Sequence, residues 1–185
     1  MPIRNLWSLE PDECIVAEEL TRQIPTCRIY FPLHDVGVDL LAVRGDRHIG
    51  LQVKGSRYYT MRRRGALPKE KWHSWHQIKA VRLSGDDPPD FYIFVTYLPT
   101  QSQHKEDRFA KKFLVVPSEE LIKRAEAVKN KGKKGIYSFY FRFDDEKVTE
   151  IREQNGENEH CDYTPFSDRW DLIETRLNMT SPSNR

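Results

Sequence analysis

Three residues in the stretch GVDLLAVRGDRHIGLQVKGSR have the types and spacing to act on a phosphate ester: Asp39, Gln52 and Lys54. Gly45 and Asp46 form a two-residue hairpin turn with glycine in the first central position, and such a turn fixes the register of the strands it joins. Counting outward pairs Arg44 with Arg47, Val43 with His48, Leu41 with Gly50 and Asp39 with Gln52. Directly opposed residues stand roughly 5 Å apart at Cβ. Lys54, two residues beyond Gln52, projects from the same face because side chains alternate along a strand. A carboxylate, an amide and an ammonium thus converge on one face, while Leu40, Ala42, Leu51 and Val53 occupy the other and are expected to rest on the core.

Bringing a carboxylate and an ammonium together out of water is costly unless they pair or hold an ion. One reading is an ordinary Asp–Lys pair at the exposed end of a hairpin. The other is a hard-cation site, in which Asp39 supplies charge and the Gln52 side-chain oxygen and the Val53 carbonyl complete an oxygen shell for Mg²⁺. Lys54 would then position or activate the attacking water and neutralise the scissile phosphate, as phosphodiester hydrolysis requires. Geometry by itself leaves both readings open.

The elements that must position these residues follow from pattern and punctuation. Ser8 can cap a helix that runs from Pro11 to Ile24 and is ended by Pro25. At 100° per residue Val16, Ala17, Leu20 and Ile24 form one stripe, with Glu13 inside it and Glu18 pointing away. Segments 27–31, 38–44 and 48–54 are short, rich in β-branched and aromatic residues, and bounded by Pro32, Gly37 and Gly45, so they read as strands. Residues 57–72 form a basic, irregular loop or insertion, and a helix is expected from about 69 to 83. In that helix Trp72, Trp75 and His76, at helical spacing, would serve as core.

Beyond the break at SGDDPPD, FYIFVTYL (91–98) is apolar nearly throughout, as a central strand covered on both faces is. A short strand at 113–116 leads into a helix starting PSEELIKRAEAVK, with Ser118 as its cap and acids in its first turn. IYSFYFRF (136–143) alternates like an edge or half-exposed strand, and 168–177 reads as a closing helix packed through Trp170, Ile173 and Leu177.

The 185 residues, 38% hydrophobic and 31% charged, suit one core: a single domain over 1–177 and a flexible tail over 178–185. No apolar run approaches the ~20 residues of a membrane span, and the first residues lack a secretory apolar region, so a soluble, cytoplasmic protein without membrane partners is expected. Cys14, Cys27 and Cys161 are too scattered for a disulfide framework, and no structural-zinc spacing joins the pair His73 and His76 to His160 and Cys161.

Net charge is only +2, but its distribution is uneven. Residues 44–82 hold eleven Lys or Arg against Asp46 and Glu70, whereas 144–162 hold eight acids against Lys147 and Arg152. Within the basic part, RYYTMRRR interleaves Tyr58 and Tyr59 with Arg57, Arg62, Arg63 and Arg64. Arginines grip phosphates and tyrosines stack on unpaired bases, so beside the Asp39 constellation this loop reads as a nucleic-acid contact. The lysines at 129, 131, 133 and 134 read as a solvated helix end.

The stretch 37–57 also resembles the core signature of the PD-(D/E)xK nuclease superfamily. That family places an acid at the start of one strand and an acid or glutamine, any residue, and lysine on the next. Here those positions are Asp39, Gln52 and Lys54, and QxK resembles the restriction-type branch. DECIVAEEL resembles the first helix of small bacterial members, in which a glutamate contributes to the site; the matching residue is Glu13. DFYIFVTYL and FLVVPSEEL resemble later elements of uncharacterised bacterial endonuclease-like proteins, so the resemblance spans about 12–128.

It implies an α/β fold of mixed sheet with a restriction-endonuclease-like αβββαβ core, and a Mg²⁺ (or Mn²⁺) cofactor. It further implies endonuclease activity on nucleic acid, DNA before RNA, with Asp39, Gln52, Lys54 and Glu13 in the catalytic site. Pairing of two copies to cut both strands is left open. Glutamine in the middle position takes one negative charge from the metal. A nucleic-acid-binding module that lost cleavage, or a defence-system subunit whose acidic segment meets a basic partner, therefore stands as the alternative.

Overall fold

The turn at Gly45 sets the first three strands. In the computed structural model Gly45 has φ +63°, a backbone conformation that glycine adopts without strain. The strands it joins pair antiparallel as Leu40↔Leu51, Leu41↔Gly50, Ala42↔Ile49, Val43↔His48 and Arg44↔Arg47. The structure describes residues 9–33, 37–57, 59–60, 72–83, 85, 88–99, 109–128, 135–144, 147–151 and 159–179.

Helix α1 (Pro11–Gln23) is followed by β1 (Arg28–Tyr30), β2 (Leu40–Arg44), β3 (Arg47–Arg57), β4 (Tyr59–Thr60) and β5 (Trp72–Lys79). Then come α2 (Ala80–Leu83), β6 (Phe91–Pro99), β7 (Phe109–Pro117), α3 (Ser118–Ala127), β8 (Ile136–Asp144), β9 (Lys147–Glu150) and α4 (Asp171–Asn178). Among the described residues two sheets result, one ordered β1-β2-β3-β6-β7 and one ordered β4-β5-β8-β9. Strand β6 runs parallel to β3 with Gln52↔Tyr92 and Lys54↔Phe94, and the remaining neighbours are antiparallel. The fold is thus the mixed α+β type expected.

Strand alternation gives the first sheet two apolar faces. Leu40, Ala42, Leu51, Val53, Ile93 and Val95 pack with Val16 and Leu20 of α1 and Trp170, Ile173 and Leu177 around α4. Tyr92, Phe94, Leu114 and Val116 pack on the other face with Phe139 and Phe141 of the second sheet and with Leu121 of α3. Burial on both faces explains why β6 is apolar without alternation: its first six residues are all buried.

Several expectations need correction. Residues 72–79 are a strand, not a helix, and only Ala80–Leu83 is helical. Trp72, Trp75 and His76 do fall at helical spacing, but Trp72, His73, Ser74, Trp75, His76 and Gln77 pair in sequence with Phe143 to Ser138 of β8. The apolar partner waiting in β8 overrides the weak local helical signal. Trp75 accordingly stands 47% exposed and is not core. Strand β8 lies between β5 and β9 and is no edge strand, and β9 was hidden in the acidic segment. Ser118 is the first residue of α3 and bonds the Pro89 carbonyl, so Pro117 holds the cap position. At α1 that position belongs to Glu10. Ser8, the lysine run at 129–134 and the tail at 180–185 lie outside the described residues, as do Tyr58, Arg62, Arg63 and Arg64 of the basic loop. No helix among the described residues is long and apolar enough to cross a membrane.

Candidate active site

Asp39 occupies the position just before β2, and its N–H donates to the Leu51 carbonyl at 2.8 Å. That bond shows which way the backbone of β3 points: Leu51 and Val53 turn their polar groups toward β2, Gly50 toward Asp90 beside β6. The β2 ladder ends at Leu40↔Leu51. The next group on that side of β3, the Val53 N–H, donates to Asp39 Oδ2 at 2.8 Å, and Gln52 Nε2 donates to the same oxygen at 2.5 Å. The carboxylate therefore stands where the next residue of β2 would continue the ladder. Asp39 is 8% exposed and Gln52 6%, so this is not a solvated ion pair at a hairpin tip.

Lys54 is half-buried, two residues beyond Gln52 on the same strand face, the face that also carries Tyr92 and Phe94. Helix α1 packs against the other face, and Glu13, 3% exposed, lies in its buried stripe with Val16 and Leu20. The first turn of α1 is locked against β3 at Gly55, where a Cβ would overlap Asp12 Oδ2 and come 3.0 Å from Oδ1. Asp12 Oδ1 also accepts a hydrogen bond from the Tyr97 hydroxyl. This contact brings the first turn of α1 to the residue that follows Lys54, on the face of the sheet opposite the Lys54 side chain, although the two elements are far apart in sequence.

Two neighbours, Arg82 and His76, were not assigned to the site from the sequence. Arg82 of α2 lies over Gly37, whose φ is +88°; a Cβ there would be 2.7 Å from Arg82 Nη1. The Tyr92 hydroxyl donates to the Arg82 carbonyl at 2.8 Å. Burial pushes the Tyr92 phenol up, with Arg82 opposing and Asp39 adding to the shift, so both charges act at one hydroxyl. His76, 3% exposed, packs edge-on against Phe94 at 5.0 Å and lies 3.1 Å from Ser74 Oγ through Nε2. Burial drives its pKa down to about 3, a contact with the Lys54 backbone opposes this, and the Lys54 charge adds to it. The imidazole is therefore neutral at ordinary pH. The alternation of buried Ser74, His76 and Ile78 in WHSWHQIK was the available signal for both the strand and this histidine.

The donor set is one carboxylate, one amide oxygen, which faces a cation if the side-chain amide of Gln52 turns over, and the Val53 carbonyl at the end of the ladder. These are hard oxygen donors, and Mg²⁺ bound through one or two carboxylates with water in its remaining positions suits such a set. Among the described residues no group of three or more His, Cys, Asp or Glu is gathered for a metal. Of the proposed nucleic-acid contacts, Arg57 is exposed at the end of β3, and Tyr59 contributes its backbone to β4 opposite His73.

No protein-family model matches the chain, and no curated protein matches it. Among solved structures, one of a bacterial homing endonuclease aligns over 88% of this chain and 90% of its own, at 16% identity and a TM-score of 0.44.

Proposed function

We propose that the chain is a nuclease of the PD-(D/E)xK type that hydrolyses phosphodiester bonds in nucleic acid, DNA in the first instance, with Mg²⁺ or Mn²⁺. The observation that carries this reading is the placement of the Asp39 carboxylate at the end of the β2–β3 ladder, with Gln52 on it and Lys54 on the same face. Asp39, the Gln52 amide oxygen and the Val53 carbonyl would hold the cation, and Glu13 would assist from α1. When bound, the ion supplies Lewis-acid polarisation of a phosphoryl oxygen and lowers the pKa of water.

The remaining work belongs to the chain. Lys54 orients the attacking water and offsets the negative charge that grows on the phosphate, an interaction stronger in the transition state than in the ground state. Arg57 and the arginines at 62, 63 and 64 bind flanking phosphates and hold the strand in place.

A second reading, a nucleic-acid-binding module without cleavage, is favoured by one feature: Asp39 Oδ2 accepts hydrogen bonds from two N–H donors of the chain itself, Gln52 Nε2 and the Val53 amide. Nuclease-free protein incubated with plasmid and branched DNA, with and without Mg²⁺ or Mn²⁺, separates the two. The nuclease reading expects cleavage that Asp39→Asn abolishes, the asparagine retaining one acceptor for the Val53 N–H. Wild-type protein that binds DNA but cuts none with either ion leaves the binding module; Asp39→Asn cutting as well as wild type moves the chemistry elsewhere in the chain.

A further inference from the structure

A cleft of about 640 Å³ opens beyond the carboxyl ends of the parallel pair β3 and β6, lined by Asp12, Gly55, Ser56, Arg57, Tyr97 and Phe109, with Pro11 at its rim. Its size lies within the roughly 300–1,000 Å³ of small-ligand sites, and ligands of sheets with parallel strands gather at the carboxyl ends of those strands. The cleft begins at the residue after Lys54. One wall is apolar, formed by Tyr97 and by Phe109, a residue 53% exposed. Among the described residues the lining supplies the cation Arg57, and Lys111 is exposed on β7 opposite Tyr97. The acid in the lining, Asp12, is held by the Tyr97 hydroxyl at the α1 side.

We propose that this cleft receives one unpaired nucleotide of the bound strand, at the carboxyl end of β3, with its base on Phe109 and its phosphate on Arg57. The charges orient it. Asp12 repels a phosphate and accepts hydrogen bonds from base N–H groups, so the base points inward, and Arg57 keeps the phosphate at the mouth. A base stacked on both sides within a duplex cannot lie against Phe109, so the site selects single-stranded, branched or locally opened nucleic acid. That the bound strand is also cut rests on the nuclease reading, but the binding chemistry does not require cleavage.

The test is fluorescence anisotropy with labelled oligothymidylate and a labelled hairpin duplex, in EDTA so that nothing is cut. Phe109→Ala is expected to weaken the single strand about tenfold, as loss of one base–aromatic stack does, and to leave the duplex within about twofold. Phe109→Trp should restore single-strand binding, and Arg57→Ala should flatten the salt dependence by about one phosphate contact. Phe109→Ala binding the single strand as tightly as wild type, or losing single strand and duplex in equal proportion, overturns the proposal. Wild-type protein that cleaves nothing with Mg²⁺ or Mn²⁺ removes the nuclease reading alone, and the anisotropy ratio still decides the cleft.

Discussion

Gly55→Ala adds one methyl group at the junction between the candidate site and α1. No positive φ is recorded at Gly55, so alanine's backbone preference is not the obstacle and the whole effect lies in the contact. The new Cβ would overlap Asp12 Oδ2 and stand 3.0 Å from Oδ1, so Asp12 must swing out or α1 must back away. Swinging out loses the hydrogen bond from Tyr97, about 1–2 kcal/mol for a partly exposed charge-assisted bond. Displacing the helix costs about 1–3 kcal/mol, typical of an overpacked contact. Alanine in place of glycine within a strand returns about 0.5–1 kcal/mol. The net expectation is about 1 kcal/mol of destabilisation, within a span of about 0–2.5, or a melting temperature lower by about 2–4 °C at the central value for a chain of this size. The assay is thermal and urea unfolding of Gly55→Ala, Asp12→Ala and the double variant. In the Asp12→Ala background the obstructing carboxylate is gone, so adding Gly55→Ala should cost nothing or stabilise slightly. An equal cost of Gly55→Ala in both backgrounds, or no cost in either, would refute the reasoning.

Gln52→Glu replaces the amide donor on Asp39 with a second carboxylate, so the variant should melt below wild type in EDTA and gain more than wild type when Mg²⁺ is added; equal Mg²⁺ shifts in both proteins would count against a cation at this position. His76 supplies a pH test. Its folded pKa lies at about 3 against an ordinary 6.5, so in that window the unfolded chain takes a proton that the fold refuses. Its contribution is complete above about pH 6.5 and falls by about 1.4 kcal/mol per unit below it. His76→Phe should flatten that part of the stability–pH curve, and a slope unchanged by the substitution would show that His76 titrates normally in the fold.

The sequence determined what depends on neighbours along the chain. The glycine turn at 45–46 dictated the register of β2 on β3, and strand alternation then sent Leu40, Ala42, Leu51 and Val53 to the core. The unbroken apolar run of β6 announced a strand covered on both faces, and the stripe of α1 already contained Glu13.

What tertiary structure decided is what depends on partners distant in sequence. Residues 72–79 carry enough helical spacing to read as a helix, yet β8, with Phe139 and Phe141 facing the same core, pairs with them along their whole length. The docking of α1 on β3 rests on the Asp12–Gly55 approach, and that of Arg82 on the segment before Asp39 rests on Gly37. Neither glycine advertises in sequence which side chain will lie on it. Local pattern fixes which face a residue takes, because the backbone repeat is set by covalent geometry; which residues then meet across the fold depends on burial shared between segments that no local window contains.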